Sequence, residues 1–311
     1  MSMLAGMPKD ALADVQAPVE ALIREVAATT IMPRYQQLGA ADVSEKTPGE
    51  IVTIADQESE RMLTDRLADI LPGGRIIGEE ACAADPQLVD GIGTGLVWIV
   101  DPLDGTANFA AGREPFGIIV ALALDGVTLA GWLYDPVSGR MCYAALGQGA
   151  YVTERGHPTR RLLPSNCSTR PIAALATQFM PDALRLAVIE AAGSAFDLRP
   201  IPRCAAEHYP RLCERENHVA LFQRTLAWDH AAGALLLTEC GGHVARWNGT
   251  PYRFDDGGLG ILAATSRELW NLAADCLLRS DALEAAGRQL LPQAGDPAAE
   301  RIVPLRPHED R

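Results

Sequence analysis

Trp98-Ile99-Val100-Asp101-Pro102-Leu103-Asp104-Gly105-Thr106-Ala107-Asn108-Phe109 joins an apolar strand to a cluster of acids and a helical turn. The run from Leu96 to Val100, with its branched residues, suits a strand buried on both faces. It delivers Asp101 at its C-terminal end, where Pro102, lacking an N–H, is expected to break the ladder. Asp104 follows three residues later, so the two carboxylates converge on one point. Gly105 and Thr106 then open a helical turn whose N–H groups face the same point. That arrangement binds phosphate beside a metal.

Working outward, Phe116 to Val152 reads as an antiparallel meander, with turns at Asp125-Gly126, Asp135-Pro136 with Ser138-Gly139, and Gly147-Gln148-Gly149. Upstream, Asp10 to Leu38 reads as helix, with Pro18 as its start or a bend. Lys46 to Glu50 reads as a loop, and a second helix follows Asp56, with Leu63, Leu67, Ile70 and Leu71 on one face. Pro72-Gly73-Gly74 ends it, and Arg75 to Glu80 is a short strand and its exit. Downstream, Asp182 to Ala192 is helical. Strands fall at His218 to Gln223 and His243 to Trp247, separated by a helix from Asp229 to Cys240. After a strand at Ile261 to Ala264, Thr265 and Glu268 form a capping-box pattern opening a last long helix. The pattern changes near residue 160. Residues 1–160 form an α+β half carrying the metal and phosphate chemistry, and 161–293 an α/β half supplying Asp229 and substrate selectivity. Residues 294–311, rich in Pro, Arg and acids, are expected to be disordered.

The 311 residues are 48% hydrophobic and 22% charged, an ordinary globular composition with enough chain for a two-part fold. A net charge of −13 repels a polyphosphate backbone and excludes nucleic acid as the expected substrate, whereas a bound metal reverses the field for a small anion. Seven scattered cysteines, none in CxxC spacing, argue against a disulfide framework or a zinc site. No signal peptide and no membrane span of roughly 20 apolar residues is read, so the cytoplasm is the expected compartment.

Any single Asp before a turn is usually a cap. Here, however, several acids follow apolar strands or head an apolar helix: Glu79 and Glu80 after Ile76-Ile77-Gly78, and Asp229 after Ala227-Trp228. Brought together they would repel, unless their pKa values rise or a cation neutralises them. An all-oxygen set without clustered His or Cys points to magnesium or manganese.

These segments resemble the inositol monophosphatase family. The resemblance rests on Ile77-Gly78-Glu79-Glu80, Trp98 to Phe109 and Trp228-Asp229-His230-Ala231-Ala232-Gly233, supported by Ile51 to Asp56 and Glu239-Cys240-Gly241-Gly242. It spans residues 10 to 280, and its long aspartate motif is specific. It implies the layered α/β/α/β/α sandwich shared by inositol monophosphatases and fructose-1,6-bisphosphatases, and a lithium-sensitive phosphatase using two or three magnesium ions. By the resemblance, Glu79, Asp101 and the Leu103 carbonyl hold one ion, and Asp101, Asp104 and Asp229 a second; a third uses Glu79 and water. Gly105 and Thr106 bind phosphate oxygens, the Thr106 hydroxyl orients the attacking water, and Glu80 supports the ligands from behind. In the family an aspartate before the Val-Thr pair partners that threonine. Here the position is Glu50, one methylene longer, so the loop must adjust or the partnership weakens. Lys46 stands for the nearby family lysine.

Selectivity is expected from the second half. Animal inositol monophosphatases carry an acid seven positions before the last metal aspartate; here that position is Phe222, followed by Gln223. Glu207, His208, Tyr209 and Arg224 are the candidate replacements, with Glu207 available to accept hydroxyl or amine hydrogens. For His230 a capping or packing role outweighs one at the leaving group. The expected activity is hydrolysis of a small phosphorylated metabolite such as inositol monophosphate. Histidinol phosphate, fructose 1,6-bisphosphate and 3′-phosphoadenosine 5′-phosphate are the alternatives. A reading of another class is a binding partner of the transcription machinery. The resemblance and the apolar meander together suggest a homodimer.

Overall fold

The computed structural model describes residues 9–47, 49–163 and 170–278, so the tail expected to be disordered lies outside the described residues. Helix α1 (Lys9–Val26) runs through Pro18 and buries Val15, Val19, Leu22, Ile23 and Val26 along one face. After short π and 3-10 turns the chain forms a hairpin, β1 (Val43–Thr47) and β2 (Glu50–Thr53), with Thr47 opposite Glu50. The sequence reading made Lys46 to Glu50 a loop because Thr47, Pro48 and Gly49 mark a turn. Gly49, at φ +84°, supplies the return that brings the two ends of this segment back to back as strands. Thr53 and Asp56 form the capping box of α2 (Ile54–Ile70), so Asp56 lies in the helix's first turn rather than before it.

The larger sheet runs in spatial order β3 (Arg75–Gly78), β4 (Leu96–Asp104), β5 (Gly117–Leu124), β6 (Val127–Tyr134), β7 (Met141–Ala145), β8 (Gly149–Thr153) and β9 (Arg160–Leu162). The β3–β4 pair is parallel and the rest is the antiparallel meander read from the turn signals. Helix α3 (Glu79–Ala84) follows β3, and α4 (Thr106–Ala110) follows β4. The smaller sheet comprises β10 (Ile172–Ala176), β11 (Asp197–Leu198), β12 (Val219–Phe222), β13 (His243–Ala245) and β14 (Ile261–Ala264), in the order β11-β10-β12-β14-β13. Its helices are α5 (Asp182–Ala195), α6 (Ala205–Cys213), α7 (Ala227–Glu239) and α8 (Arg267–Leu277). The cap of α8 is Ser266, whose hydroxyl accepts the Leu269 N–H at 3.1 Å; the expected Thr265 lies one residue too early.

The period of two along each strand sorts side chains into layers. Trp98, Val100, Ile118, Val120 and Trp132 pack on α1 and α2, while Val97, Ile99, Ile119, Ala121 and Leu133 face α6 and α7. In the smaller sheet Ala220, Phe222, Ile261 and Ala263 complete that same core, and Val219, Leu221 and Leu262 face α5 and α8. The order helices, sheet, helices, sheet, helices is the α/β/α/β/α sandwich expected. Strands β5 and β7 are buried almost throughout within the chain. No helix among the described residues is long and apolar enough to cross a membrane.

Candidate active site

In the parallel pair, Gly78 lies opposite Val100. The next residues, Glu79 and Asp101, therefore leave the same end of the sheet side by side. Helix α7 brings Asp229, in its first turn, to that end. One carboxylate oxygen from each of Glu79, Asp101 and Asp229 lies within 4.8 Å of the others, close enough for one cation to touch all three. Gly78 leaves room here for the Glu60 carboxylate, which a Cβ would displace. That carboxylate caps α3 by accepting the N–H groups of Glu80 (2.8 Å) and Ala81 (2.7 Å).

Strand β4 does not end at Pro102. Asp101 pairs with Ile119 and Asp104 with Gly117, so β4 bulges between them, a place where proline's missing N–H is tolerated. Asp101 accepts the Leu103 N–H at 3.1 Å, and Asp104 Oδ2 accepts the Ala206 N–H of α6 at 2.6 Å. Gly105, at φ +83°, turns the chain into α4; a Cβ there would lie 3.0 Å from the Pro115 carbonyl oxygen. The Thr106 hydroxyl is 2.9 Å from Asp56 Oδ1 and 2.9 Å from the Leu103 carbonyl. Asp56 is itself held by the Thr53 hydroxyl at 2.6 Å and the Thr53 N–H at 2.8 Å. Lys46 Nζ donates to Glu79 at 2.9 Å and also pairs with Glu80.

Burial is the main force raising these carboxyls. Asp104 and Asp56 are each pushed up to about 6 and Glu80 to about 7. Asp101 and Asp229 rise well above the usual carboxylate range, with repulsion from Glu79 and Asp104 adding to burial. Burial alone would lower Lys46, but Glu79 and Glu80 outweigh it and hold the ammonium above its ordinary value. Such a cluster either takes up protons or takes up cations. Its donors are all oxygen, which suits a hard divalent ion.

The model of the inositol monophosphatase family matches residues 12–279. The chain belongs to this family. Inositol-1-monophosphatase of Mycobacterium leprae is 33% identical over 248 residues, covering 77% of this chain and 81% of that protein. Nus factor SuhB of Haemophilus influenzae is 30% identical over 264 residues, covering 81% and 92%. The solved structure of inositol monophosphatase-II from Staphylococcus aureus superposes with a TM-score of 0.70 at 25% identity, covering 88% of this chain and 97% of that one. Membership implies the class of phosphoric monoester hydrolases and, in general, a metal.

Of the residues expected at the site, the structure groups Glu79, Asp101 and Asp229 and sets Asp104, Gly105, Thr106, the Leu103 carbonyl, Glu80 and Lys46 around them. Two expectations meet a different geometry. The carboxylate that takes the Thr106 hydroxyl is Asp56, and Glu50 forms an ion pair with Arg224. Glu207 is buried and ion-paired with Arg140 and Arg211, so its oxygens are committed within the protein rather than offered to a substrate. Phe222 turns inward among His208, Tyr209 and His230. His230 packs as expected. Its Nε2 donates to the Arg224 carbonyl at 3.2 Å, its Nδ1 accepts from Tyr209 at 2.9 Å, and burial lowers its pKa to about 3, so the ring is neutral. The acid that sequence reasoning overlooked is Asp56. It closes the Ile51 to Asp56 stretch that supported the resemblance, but its Thr-x-x-Asp spacing reads equally as a capping box, which hid its contact with Thr106.

Proposed function

We propose that the chain is a magnesium-dependent phosphomonoesterase acting on a small phosphorylated metabolite, inositol monophosphate or one of the related esters above. The convergence of Glu79, Asp101 and Asp229 beside the Thr106–Asp56 pair carries this reading. The oxygen-only donors, and the raised carboxyls that a cation would relieve, fit magnesium, with manganese as a substitute. Glu79, Asp101, Asp229, Asp104 and the Leu103 carbonyl would hold two or three ions. Magnesium there supplies Lewis acidity, withdrawing charge from the phosphate and making water acidic enough to attack near neutral pH.

The chain's own residues do the positioning. Thr106 Oγ1 donates to Asp56 Oδ1, which leaves its lone pairs to accept a hydrogen from the attacking water. Asp56, with its pKa raised to about 6, is a better base than a solvated aspartate and takes the proton through Thr106. Water oxygen bonds to phosphorus as the ester P–O bond in line with it breaks, and the departing ester oxygen takes a proton from solvent to leave as the alcohol. Lys46 pairs with both Glu79 and Glu80 and fixes their positions. Gly105 and Thr106 N–H groups would steady the phosphate oxygens.

Phosphate release from a panel of esters, with magnesium and then with EDTA, tests the reading; magnesium-dependent release from at least one ester is expected. Asp104→Asn should abolish that turnover with the fold intact, and near-normal rates would refute the site. Lithium should inhibit by competing for a magnesium position, which a titration at two magnesium concentrations reveals. We also propose a homodimer; sedimentation showing only a 33.3 kDa species would remove it. The similarity to Nus factor SuhB supports a second reading, association with the transcription machinery, which a pull-down probed for RNA polymerase would test.

A further inference from the structure

Three loops meet beside Asp229, and their side chains are not those that a neutral polyol calls for. Arg224, between β12 and α7, is anchored by its carbonyl to His230, the residue after Asp229. Its guanidinium reaches through Nη1 to Glu50 at the start of β2 and lies 5.4 Å from the ring centroid of Phe179 in the β10–α5 loop. Strand β2 runs on to Thr53, which holds Asp56 and through it Thr106. The Arg224–Glu50 pair therefore ties the segment leading to Asp229 to the strand leading to the water-orienting pair. The field of both residues reaches Asp229, Arg224 favouring its charge and Glu50 opposing it.

The acid described on this rim, Glu50, is paired with Arg224, and two other candidates for reading hydroxyl groups point elsewhere. Phe222 faces the interior and Glu207 is bound to two arginines. What remains is a guanidinium, 37% exposed, against an aromatic ring that is itself 53% exposed. An ion pair this exposed to water and screening salt contributes little, so a substrate anion can displace Glu50 at small cost. A guanidinium fork also matches carboxylate and phosphate oxygens in a bidentate fit.

We infer that Arg224, with Phe179 as its wall, forms the subsite for the non-reacting end of the substrate, and that this end carries a second anionic group, a carboxylate or a phosphate. Glu50 holds the guanidinium in place until that group arrives. The inference rests on the phosphatase reading and narrows its substrate class.

The test compares kcat/KM, with magnesium, for esters with anionic tails and esters with neutral tails. Fructose 1,6-bisphosphate supplies a second phosphate and 3-phosphoglycerate a carboxylate; glycerol 2-phosphate and inositol 1-phosphate have neutral tails. Wild type should favour at least one anionic-tailed ester. Arg224→Gln should cut that preference by roughly tenfold or more, chiefly through KM, in line with the loss of a charged hydrogen bond. Glu50→Gln, which frees the guanidinium, should raise the preference and serves if Arg224→Gln fails to fold. The two anionic esters separate carboxylate from phosphate recognition. A wild-type preference for neutral tails, or a preference indifferent to both substitutions, overturns the subsite while leaving the phosphatase reading standing. No release from any ester overturns both.

Discussion

Asp56 does two jobs with two oxygens: Oδ2 closes the cap of α2 on Thr53, and Oδ1 takes the Thr106 hydroxyl. Asp56→Asn keeps the shape and removes the base, so kcat should fall about 10²-fold, the usual size of a general-base contribution. Loss of cap strength should cost only ~1 kcal/mol in a thermal melt. If Glu50→Gln removes turnover and Asp56→Asn spares it, the assignment is reversed. The pH behaviour follows from the same burial. Asp104, ordinarily near 3.8, sits at about 6 in the fold. The metal-free folded chain thus keeps protons that the unfolded chain has lost, so this contribution to stability is whole below about pH 4 and is lost as pH rises through 6. Magnesium affinity runs the opposite way, weakening below about pH 6 because the ligands must first deprotonate. Calorimetric titrations at pH 5 and 7.5 should show tighter binding at 7.5; equal affinity would mean the acids are not the ligands. The acids that the structure groups, Glu79, Asp101 and Asp229, were legible as acids after apolar strands and through the family motif. Asp56 and the fate of Glu207 were not, because partner choice depends on loops that only the tertiary fold brings together.

Helix α7 is the middle layer of the sandwich, and it approaches the larger sheet where side chains are smallest. A Cβ at Gly131 of β6 would lie 2.8 Å from the Ala232 Cα and 3.1 Å from its carbonyl oxygen. Gly131→Ala must push helix and sheet apart, at a cost of roughly 1–3 kcal/mol for overpacking. Because Asp229 rides on α7, magnesium affinity should fall with it. A variant that melts normally and binds magnesium normally would show that the layers tolerate the shift. Most elements of the sandwich were readable: the meander from its turn signals, α2 from its apolar stripe, β4 from its branched run. The β1–β2 hairpin was not, since its polar residues show no clean alternation. Helix α6 was missed too, with Pro210 inside it. Pro102 misled in the other direction, because a bulge accommodates a residue that a regular ladder rejects.

At the scale of the molecule, the site joins the two sheets. Glu79 and Asp101 come from the larger sheet and its α3 helix, while Asp229 comes from the helix layer between the sheets. Without a cation, their repulsion in a buried place works against folding; with one, the same charges tie the layers together. Magnesium at a hundred times its dissociation constant should add about 2.7 kcal/mol of stability, provided it binds only the folded chain. For a chain of this size that is a rise of several degrees in melting temperature. Asp101→Asn separates the two effects, because Asp101 is fully buried and is raised by burial and by its acidic neighbours. The variant should melt above wild type in EDTA, having lost an unfavourable buried charge, and should gain little or nothing from magnesium. Scanning calorimetry of both proteins with and without the ion decides it. A variant that melts lower in EDTA would make Asp101 a structural acid whose hydrogen bond to Leu103 outweighs its charge. A variant that keeps the full magnesium shift would place the ion elsewhere.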